Sequence, residues 1–199
     1  MIKRGSPTIS IYSEETPNPE TMKFVTNKLL YPGKSADFPT KERTSASPLA
    51  ARLFDFPFVK SVFIASDFVT VTKTSDLQNW KEVSAVIREF LVDYLREGRT
   101  IINEDEYARQ RFEDSNVVLS NDDDVVKRIK EILENYVKPA VEMDGGAIQF
   151  LSFEKGILNL KMHGACSGCP SSMRTLKEGI EKIMKQKIPQ VKEVVAETL

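Results

Sequence analysis

Two cysteines and one histidine are all that 199 residues contain of the strongest metal-binding side chains. The two cysteines of a single copy can supply only half of the four-donor set that most iron–sulfur clusters and structural zinc sites need. No excess of one charge is present either: 28 Lys and Arg stand against 29 Asp and Glu, a formal net charge of −1. That balance gives no global electrostatic reason to expect nucleic acid. No stretch approaches the ~20 apolar residues of a membrane span. The N-terminus, Met1-Ile-Lys-Arg-Gly-Ser-Pro-Thr-Ile-Ser10, has two basic residues but lacks the apolar core of a signal peptide and the Arg/Ser-rich amphipathic pattern of a transit peptide. These absences predict a soluble, cytoplasmic protein without nucleic-acid or membrane partners, whose cysteines are reduced and available to metal. What is present is a 41% hydrophobic chain of mixed charge, globular rather than disordered and long enough for one large or two small domains.

The first half reads as one unit over residues 1–102. Thr8–Tyr12 and Met22–Thr26 are strand candidates joined by a stretch in which Pro17 and Pro19 force an extended connection. Ser47-Pro48 reads as a helix start, serine capping and proline at the first helical position, ahead of Leu49, Leu53 and Phe54. Val59–Ile64 and Phe68–Lys73 flank a tight turn and read as a hairpin. Trp80, Val83, Ile87, Phe90, Leu91 and Tyr94 recur at helical spacing, with Gly98 where a cap belongs. The order ββαββα predicts a small antiparallel sheet covered by helices.

Residues 103–120 are rich in charge and lack a sustained apolar stripe, so they read as a solvated linker. The second domain, 121–199, opens on Ser-Asn-Asp-Asp-Asp, acids suited to the positive end of a helix dipole. Val125, Ile129, Ile132, Leu133 and Tyr136 form that helix's stripe, and Pro139 kinks or shortens its end. Met143-Asp-Gly-Gly146 stops it and turns the chain into strands Ala147–Phe153 and Ile157–Met162. A last helix carries Met173, Leu176, Ile180, Ile183 and Met184. Pro189 ends it, and Val191–Val195 closes the sheet. The order is αββαβ, and the fold class of the whole chain is α+β.

The chemistry gathers in His163-Gly-Ala-Cys-Ser-Gly-Cys-Pro170. Pro170 suits the first position of the last helix, which sets Cys169 at or beside its N-cap, where unpaired N–H groups favour thiolate. Gly164 and Gly168 leave room for the loop to bend around a cluster. His163, a lone polar residue at a strand end, is read as meeting solvent or backbone rather than metal. Three functions remain open on these residues. A two-fold axis near the loop would join Cys166 and Cys169 of two copies into a four-thiolate site. A zinc ion could bridge the same four sulfurs as an interaction module. A CxxC pair could also act alone as a thiol-disulfide reductase, although its intervening Ser-Gly and the domain order do not suit a thioredoxin context.

The run from Met143-Asp-Gly-Gly through His-Gly-Ala-Cys-Ser-Gly-Cys-Pro-Ser-Ser-Met-Arg-Thr-Leu-Lys-Glu-Gly-Ile resembles the C-terminal domain of NifU-like (Nfu-type) iron–sulfur scaffold and carrier proteins. The first domain resembles the N-terminal domain of the same family through Thr16-Pro-Asn-Pro19, Met22-Lys-Phe24, Asp37-Phe-Pro39, Ser47-Pro-Leu-Ala50 and Ser66-Asp-Phe68-Val-Thr-Val. One departure is Ala147, where many relatives carry aspartate after the paired glycines. The resemblance implies a non-enzymatic protein that holds a labile [4Fe–4S] cluster, or a [2Fe–2S] cluster, on Cys166 and Cys169 of each protomer of a homodimer. Its implied partners are upstream cluster assembly proteins and recipient apo-iron–sulfur proteins. The first domain has no cysteine and so cannot contribute thiolate ligands, and the resemblance implies a role for it in partner docking or stability.

Overall fold

A computed structural model of the chain describes residues 8–76, 79–110, 123–167 and 170–197, with the side chains of Gln110 and of residues 170–172 left aside. It forms two compact units: one built from the described residues up to Glu15 and Pro19–Tyr107, the other from Thr16–Asn18 and the described residues from Ala108 onward. The α+β class holds for both.

The first unit is a five-stranded sheet in which β1 (Ile11–Glu15), β2 (Thr21–Thr26), β3 (Tyr31–Phe38), β4 (Val59–Ser66) and β5 (Phe68–Lys73) lie in the order β1-β2-β5-β4-β3, each pair antiparallel. Helices α1 (Pro48–Leu53) and α2 (Ser84–Arg96) complete it. Alternation along β2, β4 and β5 puts Met22, Phe24, Val62, Ile64, Val69 and Val71 into one buried cluster with Leu49, Leu53, Ile87 and Leu91. The predicted cap is formed, with Ser47 Oγ accepting from Ala50 N at 3.1 Å. Gly98 takes φ +67° beyond the end of α2, the left-handed conformation that terminates a helix there. Strand β3 is a correction to the ββαββα order. Its Pro32, its Gly33 at φ +68° and a register shift between Tyr31 and Ser35 break the two-residue alternation, as an edge strand tolerates. The charge-rich segment begins as helix α3 (Glu104–Gln110), whose Tyr107 packs on this core and accepts from Asp37 N at 3.1 Å.

The second unit starts with α4 (Asp124–Ile132), where the Asp123 side chain accepts from Val126 N at 2.8 Å and caps the first turn. A π turn over Leu133–Val137 follows, then α5 (Lys138–Met143). Pro139 supplies the reason: it has no N–H to give, and its ring crowds the carbonyl four residues back, so the ladder widens just ahead of it. The register change leaves Tyr136 57% exposed, with Lys187 Nζ 4.2 Å from its ring centroid, so the stripe residue expected in the core lies outside it. Strands β6 (Gly146–Glu154) and β7 (Ile157–Gly164) pair antiparallel through a turn in which Lys155 and Gly156 both have positive φ. Helix α6 (Pro170–Lys187) then carries the chain to β8 (Glu193–Glu197), which pairs parallel with β7. Ile129, Leu133, Val141, Phe150, Leu158, Leu160, Met184 and Val194 are among the residues of this unit's own core. No described helix in either unit is long and apolar enough to cross a membrane.

Candidate functional site

The cysteine loop connects the end of β7 to the start of α6, which begins at Pro170 as the sequence predicts. Gly164, at φ +64°, turns the chain out of the strand. Behind it Ala165 N donates to Gly145 O at 3.2 Å, and both Ser167 N and Ser167 Oγ donate to Gly164 O, at 3.1 and 2.8 Å. The Asn18 side chain adds a third tie, its Nδ2 donating to Ala165 O and to Ser167 O, each at 3.2 Å. Cys166 stands between these tied peptides. Cys169 lies outside the described residues, as does the N-cap position expected to lower its pKa.

Cys166 points inward. It is 5% exposed and belongs to the core of the unit, with Ile180 and Val141. Its Sγ rests on Gly146: a β-carbon there would stand 2.4 Å from the sulfur and 2.8 Å from His163 O. Burial pushes the Cys166 thiol up from 9.0 to about 12, with the Asp144 carboxylate adding to the shift. In this form the residue is a neutral thiol at physiological pH, and binding to iron has to displace its proton. Through Cys166 the loop thus contributes to the apolar core of this unit.

Beside the sulfur lies a cavity of ≈ 420 Å³ whose walls include Tyr136, Val137, Ala140, Cys166, Leu176 and Ile180. His163 Nε2 lies 3.1 Å from Gln149 Oε1, facing its cross-strand neighbourhood rather than the cysteine. Among the described residues no three His, Cys, Asp or Glu side chains come together as a metal cage. Sequence reasoning missed three residues at this loop: Gly146, read only as a turn former; Asp144; and Asn18, read only as part of a proline-bounded connection. Long-range packing of this kind leaves no local periodicity to find.

Comparison with known proteins bears on the whole chain. Residues 11–98 match the family described as scaffold protein Nfu/NifU N terminal, and residues 129–195 match the NifU-like domain. The human protein named NFU1 iron-sulfur cluster scaffold homolog, mitochondrial, is 37% identical over 184 residues, covering 92% of this chain and 70% of its own length. The proteins of that name from Drosophila willistoni and Drosophila persimilis are each 37% identical, over 98% and 96% of this chain, which spans 65% and 66% of their lengths. A NifU-like protein from Saccharomyces cerevisiae, solved by solution NMR, aligns with a TM-score of 0.45 and 26% identity over 50% of this chain and 89% of its own. The relatives' names place them in mitochondria, which overturns the cytoplasmic expectation drawn from the N-terminal composition. The chain belongs to the Nfu/NifU family of scaffold proteins, which are not enzymes.

Proposed function

We propose that the protein holds a labile iron–sulfur cluster, [4Fe–4S] in the first instance and [2Fe–2S] as the smaller alternative, between two copies of the chain and passes it to apo-proteins. Cys166 and Cys169 of each copy are the ligands. The observation that carries this reading is that the chain's only two cysteines, at CxxC spacing, fall where β7 gives way to α6 in a chain of this family. Two sulfurs make half of a cluster's ligand set, and a second copy supplies the other half. The cluster is cargo. Loading replaces each thiol proton by a bond to iron, and delivery reverses it when a recipient's thiolate takes the place of Cys166 or Cys169. The relatives' mitochondrial names extend to this chain as the proposed compartment. Upstream assembly proteins and recipient apo-proteins are the proposed partners.

Anaerobic reconstitution of the full chain tests the reading. Iron and acid-labile sulfide should accompany visible-light absorption, Mössbauer spectra should give the cluster type, and native mass should show two chains per cluster. Cys166→Ser and Cys169→Ser should each lose the cluster. Retention of a full cluster by both variants overturns the ligand assignment. Zinc alone would support the bridging module, and dithiol activity without metal would support a reductase.

A further inference from the structure

Within the second unit a three-residue segment, Thr16–Asn18, lies on the cysteine loop. Asn18 is 1% exposed, and its one Nδ2 group serves two acceptors, the carbonyls of the residues immediately before and after Cys166. The segment is itself braced. Thr16 Oγ1 accepts from Asn18 N at 3.2 Å and donates to Asn18 O at 2.9 Å. Pro17 and Pro19 restrict both their own φ and the residues before them, so little backbone freedom is lost in holding this shape. Pro17 also borders the cavity whose wall includes Cys166.

The geometry has a mechanical consequence. Rotation about χ1 only carries Sγ around the Cα–Cβ axis and leaves Cβ itself facing Gly146, 3.1 Å from where a β-carbon there would stand. Turning the whole side chain toward solvent requires rotation about φ and ψ of Cys166, which swings the two flanking peptide groups. The first of these peptides carries the Ala165 carbonyl, held by Asn18, and the second carries Ser167 N, held by Gly164 O at 3.1 Å. Asn18 also holds the Ser167 carbonyl one peptide further on, so the two acceptors on either side of Cys166 cannot move apart without breaking a hydrogen bond to Asn18. Staying inward leaves no space for an iron atom on the Gly146 side, where even a β-carbon would stand 2.4 Å from Sγ.

We propose that Asn18 is a positioning residue of the cysteine loop: by pinning the carbonyls of Ala165 and Ser167 it holds the Cys166 side chain inward on Gly146, and Thr16–Asn18 has to leave the loop before that side chain can turn outward to a cluster held between two copies. The pinning stands on the contacts alone, whereas the link to iron rests on the cluster-binding reading above.

The test uses the metal-free full chain carrying Cys169→Ser, so that Cys166 is the only thiol. Labelling with N-ethylmaleimide, followed by mass spectrometry at one fixed pH, reports access to its sulfur. Asn18→Asp keeps the size of the side chain but replaces the donor by a carboxylate facing two carbonyls. It should label at least about tenfold faster than the parent, the loss of two hydrogen bonds to one group. Thr16→Val removes only the brace and should give a smaller increase, while Asn18→Gln, which keeps the donor, should recover part of the parent's slow rate. Circular dichroism and the thermal midpoint separate local release from unfolding, and if Asn18→Asp fails to fold, Thr16→Val decides. Equal or slower labelling in folded variants overturns the proposal. In the wild-type chain the Asn18 side-chain amide protons should exchange slowly with solvent without metal and quickly once iron and sulfide are bound. Slow exchange in both states would overturn the release step. A cluster retained by Cys166→Ser would instead overturn the ligand assignment while leaving the labelling result standing.

Discussion

The sulfur of Cys166 packs against the α-carbon of Gly146, close enough that a β-carbon on Gly146 would stand 2.4 Å from Sγ, 3.1 Å from Cys166 Cβ and 2.8 Å from the carbonyl oxygen of His163. Glycine at 146 is therefore a packing requirement of the cysteine loop. Gly146→Ala should destabilise the second unit by about 1–3 kcal/mol, the range for forcing an extra carbon into a filled core. The sulfur can rotate away but the His163 carbonyl is part of β7, so removing the Cys166 side-chain sulfur should relieve only part of the cost. Urea denaturation of Gly146→Ala, Cys166→Ala and the double variant measures this as a coupling free energy. Full stability in Gly146→Ala would show that the loop gives way freely.

Alkaline pH should loosen the same unit. The folded Cys166 thiol titrates at about 12, raised from 9.0 first by burial and then by Asp144. Below the unfolded value both states hold the proton and the full contribution is present. Above about 9 the unfolded chain releases its proton while the folded one keeps it, so stability falls until the pH passes about 12. Denaturation midpoints of the metal-free chain between pH 7 and 10.5 should fall more steeply in wild type than in Cys166→Ala. Tyr94, whose burial also raises its pKa, lies in the first unit and is common to both proteins. Identical slopes would mean that Cys166 is open to solvent.

At acid pH the sensitive joint is Glu181. Its carboxylate accepts from Lys185 Nζ and, through Oε2, from Val194 N at 3.1 Å, so it ties α6 to β8. The Lys185 bond first and the Val194 bond second hold its pKa below 4.5. A lowered carboxyl pKa gives stability that is present above 4.5 and is lost as the pH falls through the folded value. Hydrogen exchange at the Val194 amide should quicken relative to Leu160 as the pH drops from 6 to 3, and Glu181→Ala should show that acceleration already at pH 6. Its cost in stability should be about 0.5–1.5 kcal/mol, that of one hydrogen bond. Unchanged exchange in Glu181→Ala would remove the tie.

Where local chemistry specifies structure, the chain was legible. Ser47 and Pro48 announce α1, Lys155-Gly156 a hairpin turn, and Pro170 the start of α6, because capping and turn preferences act over a few residues. Strand β3 was hidden because Pro32 and Gly33 interrupt its alternation, and Tyr136 left the core because a π turn shifts the helical phase just before Pro139. At the site, the cysteines were named by their type and spacing alone. Their surroundings were not: Asn18 reaches Ala165 and Ser167 across most of the chain, and the inward direction of Cys166 depends on the missing side chain of Gly146.

Division of labour between the units gives the last prediction. Each has its own buried core, and both cysteines follow the charge-rich segment. A fragment spanning residues 123–199 should therefore fold and bind the cluster as the full chain does, whereas residues 8–110 should fold and bind none. The fragment lacks Thr16–Asn18, so without metal its Cys166 should label faster than in the intact chain. Delivery should behave differently from binding. If the first unit docks recipients, it raises the local concentration of donor at the acceptor, and its removal should slow transfer to at least one recipient. Timed activation of several apo-[4Fe–4S] enzymes by loaded fragment and loaded full chain checks this against iron content measured in the same samples. A fragment that folds but holds no iron would place an essential part of the site in the first 122 residues, and equal transfer rates for every recipient would leave the first unit without a docking role.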